Sequence, residues 1–567
     1  MASQRYILDN VNSGELILVN APAGWNDLKY TISRSKSYHG LMRSFSGTLK
    51  FVKDGKDYID NILTLYGFES LITIKIQELN QLTRIWETKV SGILNFDPKV
   101  YVKERDFTEI NFEDSSVHKK MKNRESSEIA YNRKETLSGV VLPGFADETQ
   151  TVVLRGQSTD EANAIAVFPW QVFNRIFQVA CDLDYNPLIS SVFGKTEYGY
   201  VEDGIAANVM LSNGLLMRGS NIAGDEVASG YTNLNFTLKD LFTNFDNLFN
   251  LGLDIIYDET NERYNFVIEE KGYFYQTYEL FTIESLSNLK YSYEPDLIIQ
   301  KITTGYRKFT KENDIGLSEY NNSLEFITPV SVSDTELNIE STYRADGIGF
   351  QLAIDNRLTA SDEVVETDID KDNFFIHVFD DEGTLKSVQD EDFDLIGGLY
   401  GSDPIQANVY ISPARNMKRW GPYIGSGLSF FSETGKLRFN KAENLSDLRS
   451  QYVTETDTIY ENRDFNISDL GTPRFSGRKI DFEAPLTRDQ INTISGNPYG
   501  LVKFWDYIAK EYNYGWIVEA STDRVDRDTT WELWEAANLV DIDNNMEFVD
   551  GVNLEFVDGE NMIFVAA

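Results

Sequence analysis

Phe236-Thr237-Leu238-Lys239-Asp240-Leu241-Phe242 opens the stretch, running to Glu270, whose reading decides how the rest of the chain is understood. Apolar residues recur at Leu238, Leu241, Phe242, Phe245, Leu248 and Phe249, spacings of three and four that set them on one face of a helix. Thr237 stands where an N-cap belongs, its hydroxyl ready to accept from a backbone N–H of the first turn. The helix is expected to stop near Asn250, with Gly252 taking the left-handed conformation that closes a last turn. Leu253-Asp254-Ile255-Ile256-Tyr257 then reads as a strand and residues 258–262 as a turn. Tyr264, Phe266 and Ile268 alternate with polar residues in a return strand. The unit is helix, glycine stop and β-hairpin, and no residue in it reads as catalytic.

The same plan is read again near the C-terminus. Residues 501–509 lead to Asn513-Tyr514-Gly515, then Trp516-Ile517-Val518-Glu519, a polar turn at 523–528, and Trp531-Glu532-Leu533-Trp534. Asn250-Leu251-Gly252 and Asn513-Tyr514-Gly515 occupy matching places. An internal duplication and a common local solution reached twice both account for the match.

Upstream, residues 16–95 read as a compact α+β module. Strands are expected at 16–19, 29–32 and 44–52, then a helix with Tyr58, Ile62 and Leu65 on one face, closed by Gly67, then a hairpin from 71–76 and 85–94. Strands around one helix point to a sandwich or split barrel. Residues 100–130 add an extended segment and a charged stretch whose basic cluster is His118-Lys119-Lys120-Met121-Lys122-Asn123-Arg124. In so acidic a chain, pairing with an acidic surface or plain solvation accounts for that cluster better than phosphate binding. A boundary is expected between Pro143 and Thr159, an apolar helix from Phe168 to Asp182, and loops with short strands over 194–230. Strands are read at 298–306, 323–330, 372–380 and 399–410, and a short helix starts at Pro413. Phe548, Phe556 and Phe564 recur every eight residues in a tail whose first two copies end in Asp-Gly, a hairpin turn signal.

A chain of 567 residues exceeds what one core supports. The expected division is 1–142, an N-terminal α+β barrel-like module; 143–300, a helical and helix-hairpin domain; 301–490, a β-rich domain; 491–540, a second helix-hairpin unit; and 541–567, a short β-repeat tail. Aromatic residues are 13% of the chain, with 35 Phe and 30 Tyr, which favours strands over helices. The expected class is α+β, mostly β, with several β-barrel- or sandwich-like domains and helix–hairpin insertions. The formal charge of −38 repels phosphate backbones and favours solubility at high concentration. One cysteine, Cys181, excludes an intrachain disulfide framework, and its place on the apolar helix reads as a buried thiol. The first residues do not resemble a signal peptide and no apolar run spans a bilayer, so folding in a cytoplasm is expected.

Chemistry is hard to find. His39, His118 and His377 have no metal-ligand spacing between them. Asp368-Ile369-Asp370-Lys371-Asp372 alternates carboxylates like a calcium loop, but Asn373 stands where glycine is needed and Phe379 where the closing glutamate belongs, so it reads as an acidic turn. Paired carboxylates are too abundant among 90 acidic residues to single out a glycosidase pair. No nucleophile elbow, phosphate loop or dinucleotide fingerprint is present. Tyr273-Phe274-Tyr275 and the residues from Trp531 to Trp534 offer faces for sugar stacking, though core or interface packing is their commoner use. The expectation is therefore a protein that is not an enzyme, with no catalytic, cofactor-binding or metal residues.

Several stretches together carry a resemblance. They are Ala23-Gly24-Trp25 with Arg34-Ser35 and Tyr38-His39-Gly40, the unit from Phe236 to Phe274, Tyr343-Arg344-Ala345-Asp346-Gly347, Ser412-Pro413-Ala414-Arg415-Asn416, and the Phe-Val-Asp-Gly tail. The chain resembles virion structural proteins of tailed phages and prophages of Bacteroidetes bacteria, and in outline is similar to tail-hub and baseplate proteins whose β-barrel domains ring the tail channel. What the resemblance implies is a hub, baseplate or tail-tip component, located in the virion and assembled in the host cytoplasm. It would pair with copies of itself in a ring and with other phage tail proteins, let genomic DNA pass without specific binding, and have no membrane span. The competing class is a carbohydrate-binding or carbohydrate-cleaving protein engaging surface glycans.

Overall fold

The computed structural model describes residues 4–537 apart from short stretches within that span, the longest being 308–322. The chain divides into two units, each described by itself. The first is formed by Met1–Asn123, Glu279–Tyr291 and Lys479–Leu533, the second by Arg124–Tyr278, Ser292–Arg478 and Trp534–Ala567.

In the first unit, alternating side chains build a run of paired strands. Its order is Gly14–Ile17, Gln4–Asn10, Thr73–Leu79, Trp86–Asn95, Phe107–Asp114, Leu41–Val52, Lys29–Arg34 and Glu511–Thr522. The strand Gln4–Asn10, which the sequence reading passed over, pairs with both the edge strand and Thr73–Leu79. One face of this run closes over the helix Lys53–Tyr66, whose Ile59 and Ile62 join Leu8, Leu49, Phe51, Ile74, Ile110 and Phe112 in a core. The buried stripe is Gly55, Ile59 and Ile62; Ile62 lies on it as expected, Tyr58 packs partly buried beside it, and Leu65 is 70% exposed. Gly67 ends the helix as read, with φ of 81° and its N–H on the Leu63 carbonyl. Gly24 is needed because a Cβ there would lie 2.5 Å from the Thr48 carbonyl oxygen, at a φ of 85°. An isolated bridge, Ala23 with Lys50, ties the chain between Gly14–Ile17 and Lys29–Arg34 to Leu41–Val52. Among the described residues no sheet closes into a barrel, so open sheets replace the expected barrels while the α+β, mostly β class stands.

The C-terminal part of this unit corrects the second helix-hairpin reading. Leu501–Asp506 is a strand, paired antiparallel from Leu501 against Trp516 to Asp506 against Glu511. Val502, Phe504 and Asp506 are buried while Lys503 and Trp505 are less so, a period of two, and a short apolar run cannot be assigned to helix by its content alone. The helix lies earlier, at Arg488–Gly496, opened by a capping box between Thr487 and Gln490.

Among the described residues the second unit holds two five-stranded sheets, a three-stranded one and several two-stranded pairs. The first runs Glu161–Ala166, Gln150–Arg155, Thr384–Ser387, Asn373–Asp381, Val209–Asn213. The other runs Glu336–Ser341, Lys301–Tyr306, Ser323–Ile327, Lys436–Lys441, Phe465–Asn466. The central stretch forms the helix Leu238–Phe249 and the hairpin Leu251–Asp258 with Arg263–Glu270. Thr237 caps it as read, its hydroxyl accepting from the Asp240 N–H. The left-handed residue, however, is Asn250 (φ 57°), and Gly252 lies inside the strand opposite Glu269. The helix stops at Asn250 as read, but asparagine, which tolerates this conformation better than other residues with a side chain, takes the role expected of Gly252. The apolar helix Pro169–Cys181 forms as expected and Cys181 is buried. Its Phe173 and Phe177 meet Phe193 and Phe266 at 5.4 and 4.2 Å between ring centroids.

Residues 150–155 of the expected boundary form a strand, and the rest of 143–149 and 156–159 lies outside the described residues. So does the repeat tail, 541–567. In the stretch 399–410 the described parts are the strand Leu399–Tyr400 and a turn of tight helix beginning at Val409. No helix among the described residues is long and apolar enough to cross a membrane.

Candidate interaction surfaces

The charged residues that stood out in the sequence are largely engaged inside the fold. Arg34, on Lys29–Arg34, donates to the carbonyls of Ile517 (2.9 Å) and His39 (2.7 Å), tying a strand, its following turn and a distant strand together. Arg344 grips Asp346 with two parallel bonds of 2.8 and 2.7 Å and reaches Asp372 at 3.2 Å. Asp346 also accepts from the Gly349 N–H, capping the helix Gly347–Asp355. Asp370, of the calcium-like turn, receives Arg218 at 2.8 Å on each oxygen. Asn416 donates to the Ile411 carbonyl, and the Ala414 N–H donates to buried Glu461. Burying these charges demands partners of opposite sign with good geometry, which is what the motifs supply.

Arg124, at the end of the basic cluster, donates to the Val179 and Ala180 carbonyls and to Asp182 (2.9 Å), completing the C-terminus of the helix Pro169–Cys181. His377 is buried against Tyr410, and burial, with the nearby Arg419 charge, lowers its pKa to about 4. No group of metal-ligating side chains occurs among the described residues. Phe274, Tyr275, Trp531 and Trp534 are all buried, so their faces are closed to sugars and the packing reading holds.

The central helix-hairpin carries an enclosed ion pair. Lys271 follows the return strand, lies buried 2.9 Å from Asp246 of the helix, and sits 3.5 Å from the Trp420 ring centroid. Burial pushes Lys271 down and Asp246 up, each opposed by the charge of the other. Asp246 also accepts from the Leu251 N–H, so one carboxylate ties the helix end to the hairpin. Beside it a small cleft of about 120 Å³ is bordered by Arg419 and Arg474. Arg474 donates to the Gly272 and Tyr275 carbonyls, and Arg419 to those of Leu248 and Tyr410. These are bonds that hold loops.

Two features of the first unit face solvent instead. Beside the edge strand Gly14–Ile17 runs a cleft of about 760 Å³, bordered by Ile17, Leu18, Val19, Leu79 and Trp86 and by Arg5 and Arg84. Val19 is 88% exposed and Ile17 54%. Arg5 stacks on Trp86 at 4.6 Å and donates to Gln77, whereas Arg84 makes no ion pair or hydrogen bond among the described residues.

At the turn between Leu501–Asp506 and Glu511–Thr522 stand Tyr507 and Ile508, 46% and 61% exposed. Asp506 holds this turn: its carboxylate accepts from the Ile508 and Ala509 N–H groups and from the Tyr291 hydroxyl, and its carbonyl accepts from Lys510. On the outer face Trp505 and Tyr512 pack edge to face at 5.1 Å. Sequence reasoning missed both surfaces. The available signal was Tyr507-Ile508-Ala509, apolar residues where a hairpin turn ordinarily carries polar ones.

No protein-family model matches the chain, and no curated protein does. Solved structures similar to it include the 43 kDa tail protein of prophage MuSo2 from Shewanella oneidensis, at 10% identity over 94% of this chain and 97% of that one, with a TM-score of 0.34. A tail protein from Neisseria meningitidis MC58 is similar at 7% identity, with the same coverage and TM-score. Prophage tail protein gp18 from Listeria monocytogenes EGD-e is similar at 7% identity over 95% of this chain and 96% of that one, with a TM-score of 0.32. Likenesses at this level assign no function to the chain.

Proposed function

We propose that the chain is a structural, non-catalytic component of a phage tail, of hub, baseplate or tail-tip type. In this reading it assembles as a ring of copies around the DNA channel and joins tail subassemblies. The observation that carries the proposal is the fate of the residues behind the sequence resemblance. Arg34, Arg344, Asp346, Asn416 and the Asp246–Lys271 pair are spent on holding the fold, while exposed apolar side chains gather at a sheet edge and a hairpin tip. A scaffold protein needs fixed interiors and adhesive surfaces rather than a reactive pocket. An excess of acidic residues lining a channel would repel the DNA backbone and let it slide. The protein would reside in the virion after assembly in the host cytoplasm, with other tail proteins as partners.

The mass of the purified protein in solution, measured by light scattering with and without other proteins of the same tail, tests this. A closed multimer, alone or triggered by a partner, is the expected result; a monomer under every condition overturns the proposal.

A second reading, from the glycan-binding class, has one observation in its favour. Trp505 and Tyr512 are 36% and 41% exposed beside Glu284, which accepts from the Tyr512 hydroxyl at 2.9 Å, and Lys503. Aromatic faces beside carboxylates suit sugar rings. A glycan array probed with the protein and with its Trp505→Ala variant decides it: binding lost in the variant supports this reading, and no binding by the parent rejects it.

A further inference from the structure

The cleft and the hairpin tip belong to one unit but to far-apart strands. In the run of pairings, Gly14–Ile17 is the first strand and Glu511–Thr522 the eighth, with six strands between them. A knob beside the eighth strand and a hollow beside the first cannot satisfy each other face to face across a twofold axis unless both are paired twice. Repeated in one direction, they make a head-to-tail contact that closes into a ring when the rotation divides the circle evenly.

The two surfaces also match in chemistry. The hollow is lined by apolar side chains, Leu18, Val19 and Trp86 among them, and by the cations Arg5 and Arg84. The tip is apolar at its apex, with Tyr507 and Ile508, and Glu511 beside it makes no ion pair or hydrogen bond by its side chain among the described residues. Arg84 is likewise unengaged, in a chain where acidic residues outnumber basic ones 90 to 52. The turn that presents Ile508 is held by Asp506 and by Tyr507, whose hydroxyl accepts from the Leu289 N–H at 3.1 Å. A held knob loses little conformational entropy on docking.

We propose that Tyr507 and Ile508 of one copy insert into the cleft beside Gly14–Ile17 of a second copy of this chain, with Glu511 set against Arg84. This inference rests on the ring reading above and names its contact. The edge strand, which otherwise offers unpaired backbone groups to any passing strand, is then covered by the neighbour's hairpin.

Cysteine pairing tests it on the full-length protein. The native cysteine, Cys181, is buried, so new exposed thiols report selectively. Ile508→Cys and Val19→Cys proteins are mixed and oxidised, and crosslinked dimer is measured against each variant alone; a disulfide forms only where Cα atoms approach within about 7 Å. The mixture is expected to give roughly tenfold more dimer than either alone, because only it brings tip and cleft thiols together. In parallel, Arg84→Glu and Glu511→Arg are each expected to weaken assembly by on the order of tenfold, and the double reversal to restore it. Ile508→Asp is expected to weaken it on the order of a hundredfold. All these side chains are exposed, and thermal unfolding of each variant checks that folding is unchanged.

A multimeric parent protein whose mixture crosslinks no better than the single variants, or whose charge reversals do not rescue each other, overturns this contact and leaves the ring reading standing. Crosslinking of the Ile508→Cys tip to a different tail protein in place of a second copy also overturns it. A parent protein that is monomeric in every condition overturns both.

Discussion

Two chain reversals in this molecule are each organised by an aspartate, and they serve opposite ends. At Asp246 the carboxylate accepts from the Leu251 N–H, the helix ends on left-handed Asn250, and Lys271 lies buried against the same carboxylate. At Asp506 the carboxylate accepts from the Ile508 and Ala509 N–H groups and the Tyr291 hydroxyl, and the turn ends on left-handed Lys510. The first reversal turns its apolar side chains inward, with Phe245, Leu248 and Phe249 at 0% exposure. The second turns Tyr507 and Ile508 outward. Both carboxylates are largely buried, a cost that must be met by partners: Asp246 has the Lys271 ammonium and a backbone N–H, whereas Asp506 receives two backbone N–H groups and the Tyr291 hydroxyl. What differs is the apex, covered in the first reversal and exposed in the second.

The comparison breaks most visibly at Asp246. Asp246→Ala leaves the Lys271 ammonium buried with no partner carboxylate, and is expected to destabilise the second unit by about 3–5 kcal/mol in chemical unfolding. Replacing both, Asp246→Leu with Lys271→Met, is expected to recover most of that loss, since an apolar pair of similar volume costs little in such a place. Should the double variant be as unstable as the single one, the pair is holding geometry rather than balancing charge.

Asp506→Ala comes next, with an expected loss of about 1–3 kcal/mol from the first unit, because the donors that the buried carboxylate receives lose their acceptor. Its larger consequence is for assembly, where a tip that is no longer held docks more weakly. Light scattering and unfolding measured on the same sample separate the two effects. An assembly unchanged in a protein that unfolds earlier would show that the turn is structural only.

The left-handed residues give a finer test. Lys510→Gly is expected to stabilise by up to about 1 kcal/mol, since glycine adopts that conformation without steric cost. Asn250→Gly gains less from the same relief, because the Asn250 amide donates to the Arg419 carbonyl at 2.9 Å and that bond is lost. Equal gains at the two positions would mean that this bond adds nothing.

How far these reversals can be read from sequence follows from the same physics. The helix at 238–249 was legible because six apolar residues at helical spacing and a threonine cap agree, and local signals that agree rarely mislead. Its stop near Asn250 was legible too, but the left-handed residue was misassigned to Gly252 because glycine is the commoner choice, and asparagine fills that place here. The segment at 501–509 was not legible as strand. Leu501, Val502, Phe504 and Trp505 fit either period, and the choice was made by pairing with Glu511–Thr522, which is a tertiary fact. The ion pairs Arg344–Asp346 and Arg218–Asp370 differ in the same way. The first joins residues two apart and lies within a motif, whereas the second joins residues 152 apart in sequence, which no local pattern reveals. The cleft and the hairpin tip were missed because exposure is decided by what the rest of the chain covers.

The smallest effect is the one that most directly reads burial. Glu269, on the return strand of the central hairpin, accepts from the Ser191 backbone N–H and hydroxyl, and burial raises its pKa above the ordinary glutamate value, the Ser191 bonds opposing the rise. A carboxyl whose folded pKa lies above its unfolded one favours the folded state most at low pH, where both states are protonated. Above about pH 4.5 the unfolded state releases its proton first, so stability falls as pH rises from there to the folded pKa and is level beyond it. Glu269→Gln keeps a carbonyl oxygen for the Ser191 N–H and cannot ionise. The variant is therefore expected to match the parent near pH 4 and to exceed it slightly at pH 7, a difference measurable by unfolding at the two values. If the parent's advantage instead grew with pH, the carboxylate would be held by its Ser191 donors more strongly than burial opposes it. Glu269 would then resemble Asp506, a buried carboxylate that backbone N–H and hydroxyl donors hold.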